Sequence, residues 1–196
     1  MADYAYLSVW FREFTVERGL RHLEAALTLF PQSAARPGFR LTVRSLGPEE
    51  SPTLERDLIA APADVHALAA EFLHEDTAYE VTVFWDLWQP QPAAAGNRWE
   101  QGPSQVEFLL MGAEYDPSSD AATREHLQIG VGRENLFIGR SVVPQESSRE
   151  PLRGNVERMY ALLHDLKKSL PVERHTLWSE GNEEFARLTG ELLEQR

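Results

Sequence analysis

The stretch Tyr79-Glu80-Val81-Thr82-Val83-Phe84-Trp85-Asp86-Leu87-Trp88 decides the fold. Its odd positions (Tyr79, Val81, Val83, Trp85, Leu87) are all apolar, while Glu80, Thr82, Phe84, Asp86 and Trp88 take the even ones. Side chains of a strand alternate between two faces, so a period of two predicts a strand with its odd side turned inward. The even side mixes acids with aromatics, which a fully solvated face does not need.

Downstream, Val106 to Tyr115, His126 to Val131 and Asn135 to Val142 read as partners of this strand in an antiparallel meander. Gly132-Arg133-Glu134-Asn135 supplies a tight turn between the last two. Upstream, Tyr4 to Phe11 and Phe39 to Leu46 have strand composition, and a loop rich in Gly, Pro and Glu follows the second. Thr15 is placed to cap a helix whose stripe is Val16, Leu20, Leu23, Leu27 and Phe30, ended by Pro31. Pro62 opens a short helix over about 63–74 with Val65, Leu68 and Phe72 on its buried face. Leu152, Val156, Met159, Leu163, Leu166 and Leu170 stripe a longer helix, with Lys167 and Lys168 at its C-terminal dipole and Pro171 as its stop. A short strand, Val172 to Trp178, and a helix over about 182–194 close the chain.

Adjacent strands in the middle, with helices before and after, predict the α+β class. The expected sheet is largely antiparallel, with a central four-strand meander flanked by about four helices. Average composition, 196 residues and no low-complexity linker predict a single domain over 1–196. The first half has a ferredoxin-like βαβ order, a weak two-lobed hint without an internal repeat.

The formal net charge is -12, from 31 acidic and 19 basic residues. The acid is spread along the chain, so nucleic acid and anionic membrane are expected non-partners, and a basic protein is the favoured one. Cysteine is absent, which excludes disulfides, thiolate catalysis and zinc–sulfur or iron–sulfur sites. No signal-like or membrane-spanning stretch is visible, so the cytoplasm is the expected compartment.

The chain carries no nucleophile elbow, Walker A loop or zinc helix. Gly130-Val131-Gly132 begins like a dinucleotide fingerprint, but Asn135 stands where the third small residue belongs. No cofactor and no metal are therefore expected. His66 and His74 sit too far apart along one helix to share an ion.

Two surfaces remain. If 79–88 and 105–115 form a hairpin with a loop over Gln89 to Ser104, Asp86 falls opposite Glu107 on the even face. Phe84, Met111, His126, Gln128 and Phe137 extend that face. Opposed carboxylates beside a histidine suit acid–base work, which makes Asp86, Glu107 and His126 the catalytic candidates. The long loop, bracketed by Trp88 and Trp99 with Arg98 beside it, suits a binding contact. The leading expectation is a non-enzymatic binding protein with a regulatory or toxin-neutralising role against a basic partner. The alternative is a small-molecule-binding protein or hydrolase using the sheet face. A homo-oligomer is compatible with the regular helix stripes.

Overall fold

In the computed structural model, residues 3–91, 98–115, 124–139 and 146–194 are described. The alternating stretch lies within a strand longer than its hydrophobic pattern. In chain order the elements are β1 (Tyr4–Phe11), α1 (Val16–Leu29), β2 (Phe39–Ser45), β3 (Leu54–Leu58), α2 (Pro62–Ala70) and β4 (Thr77–Pro90). There follow β5 (Trp99–Met111), β6 (Leu127–Arg133), a single 3-10 turn at Glu134–Leu136, α3 (Glu146–Ser169), β7 (Val172–Ser179) and α4 (Phe185–Glu194).

All the pairings are antiparallel, and the seven strands run in the order β3-β2-β4-β5-β6-β1-β7. The fold is α+β, with β4-β5-β6 as the central meander and β1 returning to the place beside β6. Asn135 to Val142 is not the meander's last strand. Glu134–Leu136 turns instead, Phe137 is fully buried with its ring edge-on to Phe185, and 140–142 lie outside the described residues. The pattern misled because Phe137 is a core residue, packed between Gly132 of β6 and Phe185 of α4, and not a member of a ladder. β3, within the stretch read as loop, pairs with β2 as a polar edge strand. Charged side chains there discourage pairing with another chain.

Tyr79, Val81, Val83, Trp85 and Leu87 are each 0% exposed, and with Val106, Phe108, Leu110, Leu127 and Ile129 they form the inward face. The predicted stripes of α1 and α3 are buried in the same cluster, apart from Leu152, which is buried outside it. The Thr15 hydroxyl accepts the Arg18 amide at 3.2 Å, capping α1 as expected. At about 1.5–3 kcal/mol for each large apolar side chain, turning β4 over would cost on the order of 10 kcal/mol. That exceeds what any surface contact returns, so the pleat has one phase. None of the even-position side chains of β4 joins the cluster, and a helix meets that side only at its far end, where Trp88 lies against α3 among the described residues. No helix among them is long and apolar enough to cross a membrane.

The β4–β5 ladder extends beyond its neighbours. β2 pairs with β4 only as far as Thr82, and β6 pairs with β5 only over Glu107–Leu110. Pro103, without an N–H, is tolerated because β6 does not reach it. The edge of β4 past Thr82 is satisfied from elsewhere. Phe84 O accepts the Ser33 amide at 2.7 Å, and Asp86 O accepts the Arg158 guanidinium. Asn155, fully buried on α3, acts as a surrogate strand residue. It accepts from Trp88 N at 2.8 Å and donates to Trp88 O at 2.9 Å and Leu136 O at 2.8 Å.

Asn155→Ala would strand three backbone groups at once. The expected loss is about 2–4 kcal/mol of unfolding free energy, read as a lower urea midpoint at unchanged slope. A shift under about 0.5 kcal/mol would show that water replaces the amide there.

Candidate functional site

Cross-strand partners share a face, so the registers give the layout of the uncovered side row by row. One row reads Asp57, Arg40, Thr82, Glu107, Gly130, Tyr6 and Trp178 from β3 to β7. The next reads Glu55, Thr42, Glu80, Leu109, Gln128, Ser8 and Thr176. Thr42 and Ser8 are buried beneath longer neighbours, while Glu80, Thr82, Glu107, Tyr6 and Trp178 are half-buried.

The expected Asp86–Glu107 pair does not form. Asp86 lies opposite Pro103, and Glu107 opposite Thr82. The two acids share a face but are four residues apart along the ladder, roughly 14 Å at about 3.4 Å per residue. Asp86 instead takes the Ser33 hydroxyl at 2.6 Å and so fastens the segment after α1 to β4. His126 sits at the far end, where its carbonyl accepts Met111 N, about eight residues or roughly 27 Å from the Asp86 row. Its Nδ1 accepts the Phe11 amide at 2.9 Å, and its ring stacks on Phe14 at 4.0 Å. Burial foremost, and Arg174 less strongly, push the His126 pKa down against an opposing pull from Glu173, in keeping with a neutral, accepting imidazole. The three residues are not assembled into one acid–base centre. Among the described residues no group of three or more metal-ligating side chains converges.

The proposed binding residues divide. Phe84, Trp88, Met111 and Gln128 lie on the uncovered side and are half-buried, whereas Phe137 belongs to the core. Most of the described part of the supposed loop from Gln89 to Ser104 is strand. Trp99 pairs with Pro90, Gln91 N donates to Arg98 O at 2.8 Å, and 92–97 lie outside the described residues. Trp99 is half-buried, and exposed Arg98 lies 3.6 Å from Glu100. The Trp88 ring leans on α3, where a Cβ at Gly154 would come within 3.3 Å of it.

Sequence reasoning missed the centre of the face. A cleft of about 550 Å³ opens over β3, β2, β4 and β5, lined by Arg36, Arg40, Arg44, Glu55, Asp57, Glu80, Thr82, Phe84, Gln105 and Glu107. Its cations are engaged. Arg40 holds Asp57 at 2.8 Å and Glu55 at 3.5 Å, Arg36 stacks 3.8 Å over the Phe84 ring, and Arg44 donates to Glu50 O at 3.0 Å. Glu107 accepts the Gln105 amide at 2.6 Å, yet neither it nor Glu80 has an ion-pair partner among the described residues. Burial first, then repulsion from Glu107, raises the Glu80 pKa above its ordinary 4.5, against a weaker pull from Arg44. Beyond Glu107 the face is aromatic. Tyr6 stacks on Trp178 at 4.6 Å, its hydroxyl donates to Glu180 at 2.9 Å, and Trp178 Nε1 donates to Ser8 at 3.0 Å. Burial and the acids Glu180 and Glu107 push the Tyr6 pKa well up, so the phenol stays protonated.

The chain has no significant match among protein-family models, curated proteins or solved structures.

A raised carboxylate pKa has a definite sign. Between 4.5 and the folded value, the native state binds more protons at Glu80 than the unfolded state, so stability falls as pH rises through that window. Above it the penalty is constant. Glu80→Gln is therefore expected to raise the melting temperature at pH 7, with the gain shrinking as the pH falls through the folded value toward 4.5 and gone below it. A lower melting temperature at pH 7 would mean that Arg44 outweighs burial and Glu107.

Proposed function

We propose that this chain is a non-enzymatic binding protein that docks a basic protein partner on the uncovered face of its sheet. The observation supporting this reading most directly is the pair Glu80 and Glu107. Both are half-buried and neither has an ion-pair partner among the described residues, and burial with the nearby Glu107 makes the charged form of Glu80 costly in the free protein. A partner that brings cations to them recovers that cost. The net charge of -12 steers such a partner toward the protein, and the half-buried rings of Tyr6, Trp178 and Phe84 offer the rigid apolar area that interfaces favour. A regulatory or toxin-neutralising role fits this chemistry, because both work by covering a basic surface.

A second reading rests on the cleft itself, whose volume of about 550 Å³ falls within the range of small-molecule pockets. Its lining is largely polar and its cations already hold partners, so a ligand there would be a small cation rather than an apolar metabolite. The acid–base set Asp86, Glu107 and His126 does not support hydrolysis, since its members lie on separate rows.

The two readings part in an affinity-capture experiment on the native lysate at about 50 mM and about 500 mM salt. The docking reading expects a basic protein to be retained at low salt and lost at high salt. Thr82→Arg or Thr176→Arg on the face should cut retention at least about tenfold, and Arg187→Ala on α4 should leave it unchanged. Retention indifferent to the face substitutions would overturn the reading.

A further inference from the structure

We propose that the junction between β1 and α1 is an acid-sensitive latch, held shut by neutral His126 and released when that imidazole gains a proton. The latch does not depend on the docking reading.

One hydrogen bond sets the protonation state. The Phe11 amide can only donate, so His126 Nδ1, which takes it at 2.9 Å, must carry a lone pair. The neutral ring keeps its proton on Nε2. A second proton must go to Nδ1, where it would face the amide N–H, so protonation breaks the bond and orphans the Phe11 amide. The backbone of His126 is itself pinned between β1 and β5, since its amide donates to Val9 O at 3.1 Å and its carbonyl accepts Met111 N at 3.1 Å.

What the bond holds is a junction under strain. Phe11, the buried last residue of β1, follows a register shift in the β1–β7 ladder. Two residues on, Glu13 has φ of 49°, a left-handed conformation that is costly for a residue with a side chain. Phe14 is clamped between the His126 ring, stacked at 4.0 Å, and Gly19 of α1, where a Cβ would come within 2.6 Å of the Phe14 ring. One imidazole thus secures both the end of β1 and the first ring of the turn.

The surroundings keep that imidazole neutral. Two further half-buried histidines flank the same end of β1. His22 of α1 lies 4.6 Å from the Phe11 ring, and His175 of β7 stands opposite Val9. Burial foremost holds all three below the ordinary 6.5. The charges around them add to this. β7 presents Arg174 and Glu173 to His126, α1 brings Arg18 to His22, and α3 brings Lys167 to His175. Glu13 in the turn is already held by Arg18 at 3.0 Å, which leaves Glu173 as the one acid among these that favours a proton. Below 6.5 the opened junction therefore binds more protons than the closed one. Closure weakens as the pH falls, by up to about tenfold per pH unit for each histidine that opening uncovers.

The test is amide hydrogen exchange by NMR on the full chain between about pH 7.5 and about pH 5, corrected for intrinsic rates, with the imidazole signals followed in the same samples. Phe11 is expected to lose protection about tenfold or more per pH unit as His126 titrates below 6.5, while Val83 in β4 keeps its own. His126→Asn sets an amide oxygen near the Nδ1 position without a titrating group. It should keep Phe11 protected and flatten its pH dependence by about tenfold per unit. The coincidence of Phe11 opening with His126 titration in the unaltered chain tests the latch without any variant. Phe11 protection that ignores pH overturns the latch, as does Phe11 loosening only together with Val83. An undiminished pH dependence in a natively folded His126→Asn variant overturns it too.

Discussion

The thirteen-pair ladder between β4 and β5 is the constraint on which the rest depends. It fixes one phase of the pleat, because burying Tyr79, Val81, Val83, Trp85 and Leu87 on one side leaves no other option. It also sets which even-position residues meet across the face. Everything proposed about Glu80, Glu107 and the cleft follows from that phase together with the observed register. The ladder outruns β2 and β6, so its far end relies on borrowed partners. Ser33, Asn155 and Arg158 supply hydrogen bonds that a neighbouring strand would otherwise make.

The fold class was legible in the sequence, and the candidate site was legible only in part. The apolar stripes of α1 and α3 and the alternation in β4 report burial, and burial is what hydrophobic periodicity encodes. Register is different. A slip by any even number of residues keeps every side chain on its own face, so the pattern fixes register only modulo two. Asp86 was expected opposite Glu107 and lies four residues away, an error that alternation cannot detect. The cause is local. Trp99 to Ser104 looks like loop because it holds Gln101, Gly102 and Pro103, yet it extends β5 beyond the reach of β6. β3 was hidden for a related reason, since a polar edge strand need not alternate. Phe137 was misplaced because an isolated apolar residue does not reveal which layer it faces.

Gly130 was legible as a residue but not as a feature. In the sequence it belongs to a Gly-Val-Gly triplet that invites a nucleotide reading. In the structure the two glycines serve different ends. Gly132 carries φ of +130° just beyond the register shift opposite Ala5 and Tyr6, a conformation that L side chains avoid. Gly130 has no positive φ and lies buried beside the Tyr6 ring, which would be 3.5 Å from a Cβ there. The separation of Asp86, Glu107 and His126 along the ladder, together with two acids without an ion-pair partner among the described residues, shifts the proposed function from chemistry among those three to recognition on the sheet face.

The chain's lack of cysteine allows the most direct test of the central claim, that adjacent β4 residues face opposite environments and the Thr82 side is open. Single Thr82→Cys and Val83→Cys variants would be labelled with a thiol reagent under native conditions. The account predicts that the cysteine at 82 reacts within about tenfold of an unfolded control, and the one at 83 at least about a hundredfold more slowly. Equal rates, or protection at 82 with reactivity at 83, would contradict it.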